Sequence, residues 1–315
     1  DVYKRQVICF TSFTLLFSQG MPLSEINFKE ENIIIGEPNP RAHYFSMAVQ
    51  GGIILAGAIF WNYSERWTGE FGIENEGWFG KESNNGGADK LGHAYTWCLL
   101  TRGLIHNYER HGFSRKSSAF WGFTIPAFNG IIIEILDGYT DYNASTEDIL
   151  FNLMGSGLGA YLYLNPKLDE LIHLDWSYLP SSDFTKNIKK DFTTDYAGQV
   201  FTLEINGKGV RKILKYDQSS PIDYFQMGFS YYTRGYSGEL NTNKERFTGI
   251  TLGINLQEFF KVGSPTRTFV KYFKIPYSFT GIFRELNTNQ TEMQTGNRIF
   301  NSVSYTHLRA HETDS

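Results

Sequence analysis

Between Asn84 and Tyr163, three apolar segments each carry ionisable or amide groups inside otherwise hydrocarbon sequence. The first opens NNGGADKLGHAYTWCLL, the second contains GFTIPAFNGIIIEILDGYTDY, and the third reads STEDILFNLMGSGLGAYLY. A charge taken out of water without a partner is costly, and its removal from a pair leaves the other charge stranded. Segments of this kind keep Asp89, Lys90, His93, Glu134, Asp137, Asp148 and Asn152 only if those groups meet one another or a ligand. The requirement is met by helices packed in a bundle with the polar groups turned inward.

The spacing predicts helices from about Ala88 to Glu109, from about Ser117 to Leu136, and from near Ser145 to just before Pro166. Pro126 and Gly130 are expected to kink the second of these. Ser145 with Asp148 three residues on resembles a capping box. Gly155 and Gly159 form a small-xxx-small face that admits another backbone. An earlier apolar helix covers AHYFSMAVQGGIILAGAIFW, Ala42 to Trp61. Its run from Phe45 to Trp61 is near the lower limit for crossing a bilayer, and a fully buried core helix fits the same pattern. Thr68 to Gly87 is rich in Gly, Asn and Glu and reads as a loop.

The character changes from about Phe192. QVFTLEIN, DYFQMGFSYYTRGY, FTGITLGINL and TFVKYFKIPYSF alternate or carry aromatic and β-branched runs, which predicts four or so antiparallel strands. Gly207-Lys208-Gly209 and Asn241 to Glu245 read as turns. Four strands are too few to close a transmembrane barrel, so the sheet is expected to pack on the helical core. The expected organisation is a helical core over residues 42–176 and a sheet region over residues 192–285.

The two ends are set apart. Asp1 to Gln6 reads DVYKRQ, and Val303 to Ser315 reads VSYTHLRAHETDS; both look like in-frame translations of a sequencing adapter and its reverse complement. Val7 to Gly20, VICFTSFTLLFSQG, resembles the apolar core and cleavage region of a signal peptide, and a real N-terminal helix is the competing reading. The adapter-like ends carry equal numbers of acidic and basic residues, so the net charge stays at −4 without them. That balance argues against a nucleic-acid partner, which calls for a basic excess. Aromatic residues make up 16% of the chain, which suits an envelope protein or a sheet-rich part. Two cysteines, Cys9 and Cys98, give no disulfide framework.

Asp89 and His93 are four apart and share a helix face, as do Asp148 and Asn152. Glu134 stands in the run Ile131-Ile132-Ile133-Glu134-Ile135 and needs a cationic or donor partner, with His93, Lys90 and Arg102 as the candidates. Two readings stand side by side. In the functional one, His93, Glu134 and Asp148 are catalytic or metal-ligating groups, suited to a divalent cation or an acid–base pair, while Asp89, Lys90, Asp137 and Asn152 bind substrate. In the structural one, Asp89 complements a helix N-terminus, Lys90 is solvated or snorkels, and His93 is a satisfied core histidine. Asp137 and Asp148 then cap helices, and Asn152 fixes register. His106 and His111 read as surface residues at a helix end. No HExxH, CxxC, GxSxG or Walker loop is present, and GSGLG at Gly155 to Gly159 reads as a packing face. The sequence names no cofactor and no protein partner.

The pattern Asp89-Lys90-x-x-His93, Glu134, then Ser145, Asp148, Asn152, Gly155 and Gly159 resembles the VanZ-like family of small bacterial membrane proteins. Gly87-Ala88-Asp89-Lys90-Leu91-Gly92-His93 and Glu134-Ile135-Leu136-Asp137-Gly138 more closely resemble an uncharacterised family of predicted periplasmic lipoproteins typified by YfiM. Its longer members look similar also where Asp195-Tyr196-x-Gly198-Gln199 precedes a strand. The resemblance spans roughly Ala42 to Phe279, implies a bacterial envelope location, and supplies no reaction.

The resulting expectation is an α+β protein: a four-helix membrane-associated bundle followed by a small antiparallel β-sheet. It would bind or organise an envelope lipid or lipid-linked precursor through a buried polar site. The alternative is a metal- or acid–base-dependent hydrolase of such a molecule.

Overall fold

The structure is a computed structural model, and it describes residues 37–185, 191–236 and 244–295. The signal-peptide-like segment, both adapter-like ends and most of the expected turn at Asn241 to Glu245 lie outside the described residues. The chain divides into two compact units. One takes the chain up to Glu76, Lys90–Pro166 and Val262–Thr268; the other takes Gly77–Asp89, Lys167–Lys261 and the chain from Phe269 onward.

Four long helices dominate the first unit among the described residues: α1 (Arg41–Phe60), α2 (Ala88–Arg110), α3 (Arg115–Asp137) and α4 (Thr146–Leu164). Two of them start on a side-chain cap. Ser114 caps α3 by accepting a hydrogen bond from the Ser117 N–H, and Ser145 does the same for α4 from the Asp148 N–H. Those side chains satisfy N–H groups that a helix start leaves without internal partners. α3 runs without a break through Pro126. Two apolar clusters hold the helices: Leu104, Tyr108 and Ile125 with Ala42, and Trp97, Leu100 and Ile133.

Small residues set the helix spacing. A Cβ on Gly155 would lie 2.1 Å from the Ala94 carbonyl oxygen of α2, and one on Gly159 would lie 2.8 Å from the Cys98 carbonyl oxygen. The small-xxx-small face therefore brings α4 against the backbone of α2, as its spacing predicts. Two residues of parallel ladder, β1 (Ile73–Glu74) on β2 (Ala144–Ser145), pin the start of α4.

By length and composition α1 and α3 could each cross a membrane. Half of the most apolar stretch of α3 is buried, against 17% for α1. The pattern on α1 is reversed: Ser46 and Gln50 are buried, while Tyr44, Met47, Leu55 and Ile59 are exposed.

The second unit holds a six-stranded antiparallel sheet in which every strand pairs with the next in sequence: β3 (Ile172–Tyr178), β4 (Gln199–Asn206), β5 (Phe225–Arg234), β6 (Glu245–Ile254), β7 (Phe279–Glu285) and β8 (Thr291–Thr295). This corrects the expectation of four strands beginning after Phe192. Of the four stretches, TFVKYFKIPYSF holds the end of a helix, Pro265–Tyr272, and reaches β7 only at Phe279. The expected turn at Gly207-Lys208-Gly209 opens a short helix, Gly207–Ile213. β3 falls inside the stretch 42–176 assigned to the helical core, and β8 lies past the expected end at 285. Val200, Tyr232, Phe279 and Phe283 form the apolar cluster of this unit. The segment Gly77–Asp89 packs within the same unit, with the Phe79 ring edge-on to Tyr231 and the Tyr231 hydroxyl donating to the Gly86 carbonyl. Gly87 has φ +83°, and a Cβ there would lie 2.5 Å from the Trp78 carbonyl oxygen, so the turn before α2 accepts only glycine at that position.

Candidate functional site

Three helices of the first unit bring His93, Glu134 and Asp148 together. One donor atom from each lies within 4.8 Å of the other two. His93 projects from α2, Glu134 from the last turn of α3 and Asp148 from the first turn of α4. The local geometry follows from Ser145. Its side chain caps α4 at the Asp148 N–H, 3.2 Å away, which fixes Asp148 in the first turn. Its backbone N–H donates to Glu134 Oε2 at 3.3 Å. One residue, held by the β1–β2 ladder, thus orients both carboxylates.

The His93 ring bridges them. Nδ1 lies 2.8 Å from Asn152 Oδ1 and 3.9 Å from Glu134 Oε1, while Nε2 lies 3.7 Å from Asp148 Oδ2. The two longer separations exceed hydrogen-bond range and use different ring nitrogens, of which a single ion takes one. The spread that bears on a shared ion is the 4.8 Å within which one donor from each residue lies, and donors on one shell at 2.0–2.6 Å from a metal stand up to about 4–5 Å apart. Asn152 is fully buried, and its amide reaches the Gly130 carbonyl oxygen at 3.5 Å. A Cβ on Gly130 would lie 2.9 Å from the Asn152 Cβ, so the missing side chain makes room for that amide.

Lys90 departs from expectation. It neither snorkels nor meets solvent: it is fully buried, 2.9 Å from Asp148 Oδ1 and paired with Glu76. A solvated lysine would leave Asp148 buried without its countercharge, so the pairing wins. Among the three partners expected for Glu134, His93 is the neighbour. Lys90 goes to Asp148 and Glu76, and Arg102 donates to the Gly159 carbonyl oxygen at 3.4 Å and lies over the Tyr163 ring. Asp137 is the last residue of α3 and accepts a hydrogen bond from the Tyr63 hydroxyl. Asp89 is buried in the first turn of α2 and counts with the second unit. His106 and His111 are half-buried rather than surface residues; His111 Nδ1 lies 2.8 Å from the Asn107 carbonyl oxygen.

The carboxyls differ in charge state because their surroundings differ. Burial pushes Glu134 up to about 8, reinforced by the Asp148 and Asp137 carboxylates and opposed by His93. Asp137 is raised to about 6, again chiefly by burial. Burial acts on Asp148 in the same direction, but His93 and Lys90 together outweigh it and hold that carboxyl below its ordinary value. At neutral pH the site therefore holds a protonated Glu134 and an ionised Asp148 on either side of one imidazole.

Glu76 and Tyr63 belong to this constellation and were not singled out from sequence. Glu76 sits in a loop whose composition signals only turns, and no spacing ties it to Lys90. Tyr63 reads as an interfacial aromatic; the structure buries it, and a buried tyrosine hydroxyl usually finds a hydrogen-bond partner.

Residues 75–164 match the model of the family described as "Predicted periplasmic lipoprotein (DUF2279)". The matched segment contains α2, α3 and α4 and each of the three converging side chains, and covers somewhat under a third of the chain. That description is of a predicted periplasmic lipoprotein, consistent with a location in the cell envelope, periplasmic or membrane-associated. The match is to the lipoprotein family; the VanZ-like likeness stays at the level of the motif. No curated protein and no solved structure gives a significant match.

Proposed function

We propose that the helical unit binds the anionic head of an envelope lipid or lipid-linked precursor through a divalent cation held by His93, Glu134 and Asp148. The observation that carries this reading is the convergence of three ligand atoms from three helices within 4.8 Å. An imidazole and two carboxylates suit a first-row divalent ion, and three protein ligands leave positions open for a phosphate oxygen. The His93 side chain is 26% exposed, which gives the site a way in. α3 and α4, the helices that supply the carboxylates, also expose Phe128, Ile135, Leu150 and Met154, apolar surface of the kind an acyl chain needs. The reversed polarity of α1 fits a helix lying against hydrocarbon. Purified protein should carry a stoichiometric divalent ion, or bind Zn²⁺ or Mn²⁺ on titration, and its thermal midpoint should fall on treatment with chelator. A midpoint indifferent to both metal and chelator would refute the proposal.

A second reading has its own support. Glu134 and Asp148 are held in opposite protonation states across His93, the arrangement an acid–base pair requires. In a hydrolase of such a lipid, Asp148 and His93 would activate water and Glu134 would protonate the leaving oxygen. Turnover of a phospholipid or polyprenyl phosphate, abolished in Glu134→Gln, would favour this reading over simple binding.

A further inference from the structure

Part of the sheet of the second unit exposes an apolar face to the surroundings. From Leu203 to Asn206 in β4, Phe225 to Ser230 in β5 and Gly249 to Ile254 in β6 the side chains alternate, and the apolar set is the exposed one. Leu203, Phe229, Ile250, Ile282 and Met293 pair in turn across β4 to β8 and form one continuous row, 42–70% exposed. Ile205, Met227 and Leu252 form a second row, and Phe225 with Ile254 a third; all five are exposed. The opposite face is buried: it holds the apolar cluster of Val200, Tyr232, Phe279 and Phe283, and beside that cluster, behind the exposed rows, it is polar. It carries His173 and Asp175, with Nε2 and Oδ1 3.1 Å apart, Glu204 paired with Lys274, and a hydroxyl ladder from Thr202 through Ser230 to Thr251 at 2.8 and 3.2 Å. A sheet folded for water buries its apolar face and exposes its polar one. A sheet facing lipid does the reverse.

We infer that the face formed by Leu203, Met227, Phe229, Ile250, Leu252 and Ile282 lies against the acyl chains of a bilayer. No charged side chain interrupts these rows. The first on that face is Arg284, which pairs with Thr248 two positions beyond the Ile250–Ile282 pair. At the other end Tyr224 and Tyr277 are exposed, as interfacial aromatics are. The three rows of β5, from Phe225 to Phe229, rise about 13 Å at ~3.3 Å per residue, comparable to one leaflet of a hydrocarbon core about 30 Å thick. A protein partner would be expected to find about one hydrogen bond per 100–200 Å², and among the described residues the rows add only the hydroxyl of Thr280, which pairs with Leu252 and already donates to the Gln294 carbonyl oxygen. Hydrocarbon needs none. This surface is independent of the cation site.

The test uses the full chain with both native cysteines replaced, reconstituted into vesicles of dioleoylphosphatidylcholine and dioleoylphosphatidylglycerol. Separate variants carry a nitroxide at Phe229→Cys, Ile250→Cys or Leu252→Cys, with Asp217→Cys, exposed in a polar turn, as the water control. All three sheet labels should collide readily with oxygen and poorly with a water-soluble nickel chelate, and the control label should do the opposite. A label that disturbs one strand leaves the other two positions to decide. Free access of the nickel chelate to the sheet labels would overturn the inference in favour of an aqueous face. Shielding from both reagents would overturn it in favour of a protein cover, a second copy included.

Discussion

Glu134 is the residue on which the site turns, and its charge state has a measurable consequence. Its folded value, about 8, lies above the ordinary 4.5, so between those values the folded state holds the proton that the unfolded state has lost. Stability contributed by Glu134 is therefore fully present below about pH 4.5, falls as pH rises toward 8, and levels off above it. Asp137 acts in the same sense only up to about pH 6, and Asp148, with its lowered value, acts only under acid conditions. Between pH 6.5 and 8 the parent should lose stability with a slope of at most about 1.4 kcal/mol per pH unit. Glu134→Gln, which keeps the shape and never ionises, should be flat there and at least as stable as the parent at pH 7. Chemical denaturation at several pH values measures both curves. Equal slopes would mean that Glu134 is not held protonated.

The elements were largely legible in the sequence, and their contacts less so. Capping at Ser145, the ends of α4 and the inward turn of Asp148 and Asn152 follow from spacing, because a helix period fixes which residues share a face. What spacing cannot supply is a partner from a loop, which is why Glu76 and its pairing with Lys90 stayed hidden. The glycine face of α4 makes a direct prediction. Gly155 meets the backbone carbonyl of Ala94 rather than a flexible side chain, so a larger residue cannot be absorbed by a rotamer change. Gly155→Leu should cost about 1–3 kcal/mol or more, whereas the same change at Gly157, where a Cβ meets nothing within 4 Å, should cost far less. Thermal denaturation of the two variants checks this, and equal losses would place the α2–α4 contact elsewhere.

At the scale of the whole molecule, the mixed helix-and-sheet character could be read from the sequence, but the polarity of the sheet could not. Alternation with period two identifies a strand without saying which set faces inward. β3, Ile172–Tyr178, alternates cleanly, yet it buries His173, Asp175 and Ser177, the set that would ordinarily be assigned to solvent. β8, TEMQT, is too polar to announce itself as a strand. The helical unit followed a simpler rule: charges inside apolar helices must meet. That rule found His93, Glu134 and Asp148 but left open whether they hold an ion or only one another. Calorimetric titration with Zn²⁺ or Mn²⁺ at pH 7, repeated in buffers of different ionisation enthalpy, decides it most directly. A ligand carboxyl must lose its proton to bind metal, and Glu134 holds one at that pH. The account predicts one site per chain, about one proton released per ion bound, and loss of binding in Glu134→Gln; the absence of binding, or binding that Glu134→Gln leaves intact, would contradict it.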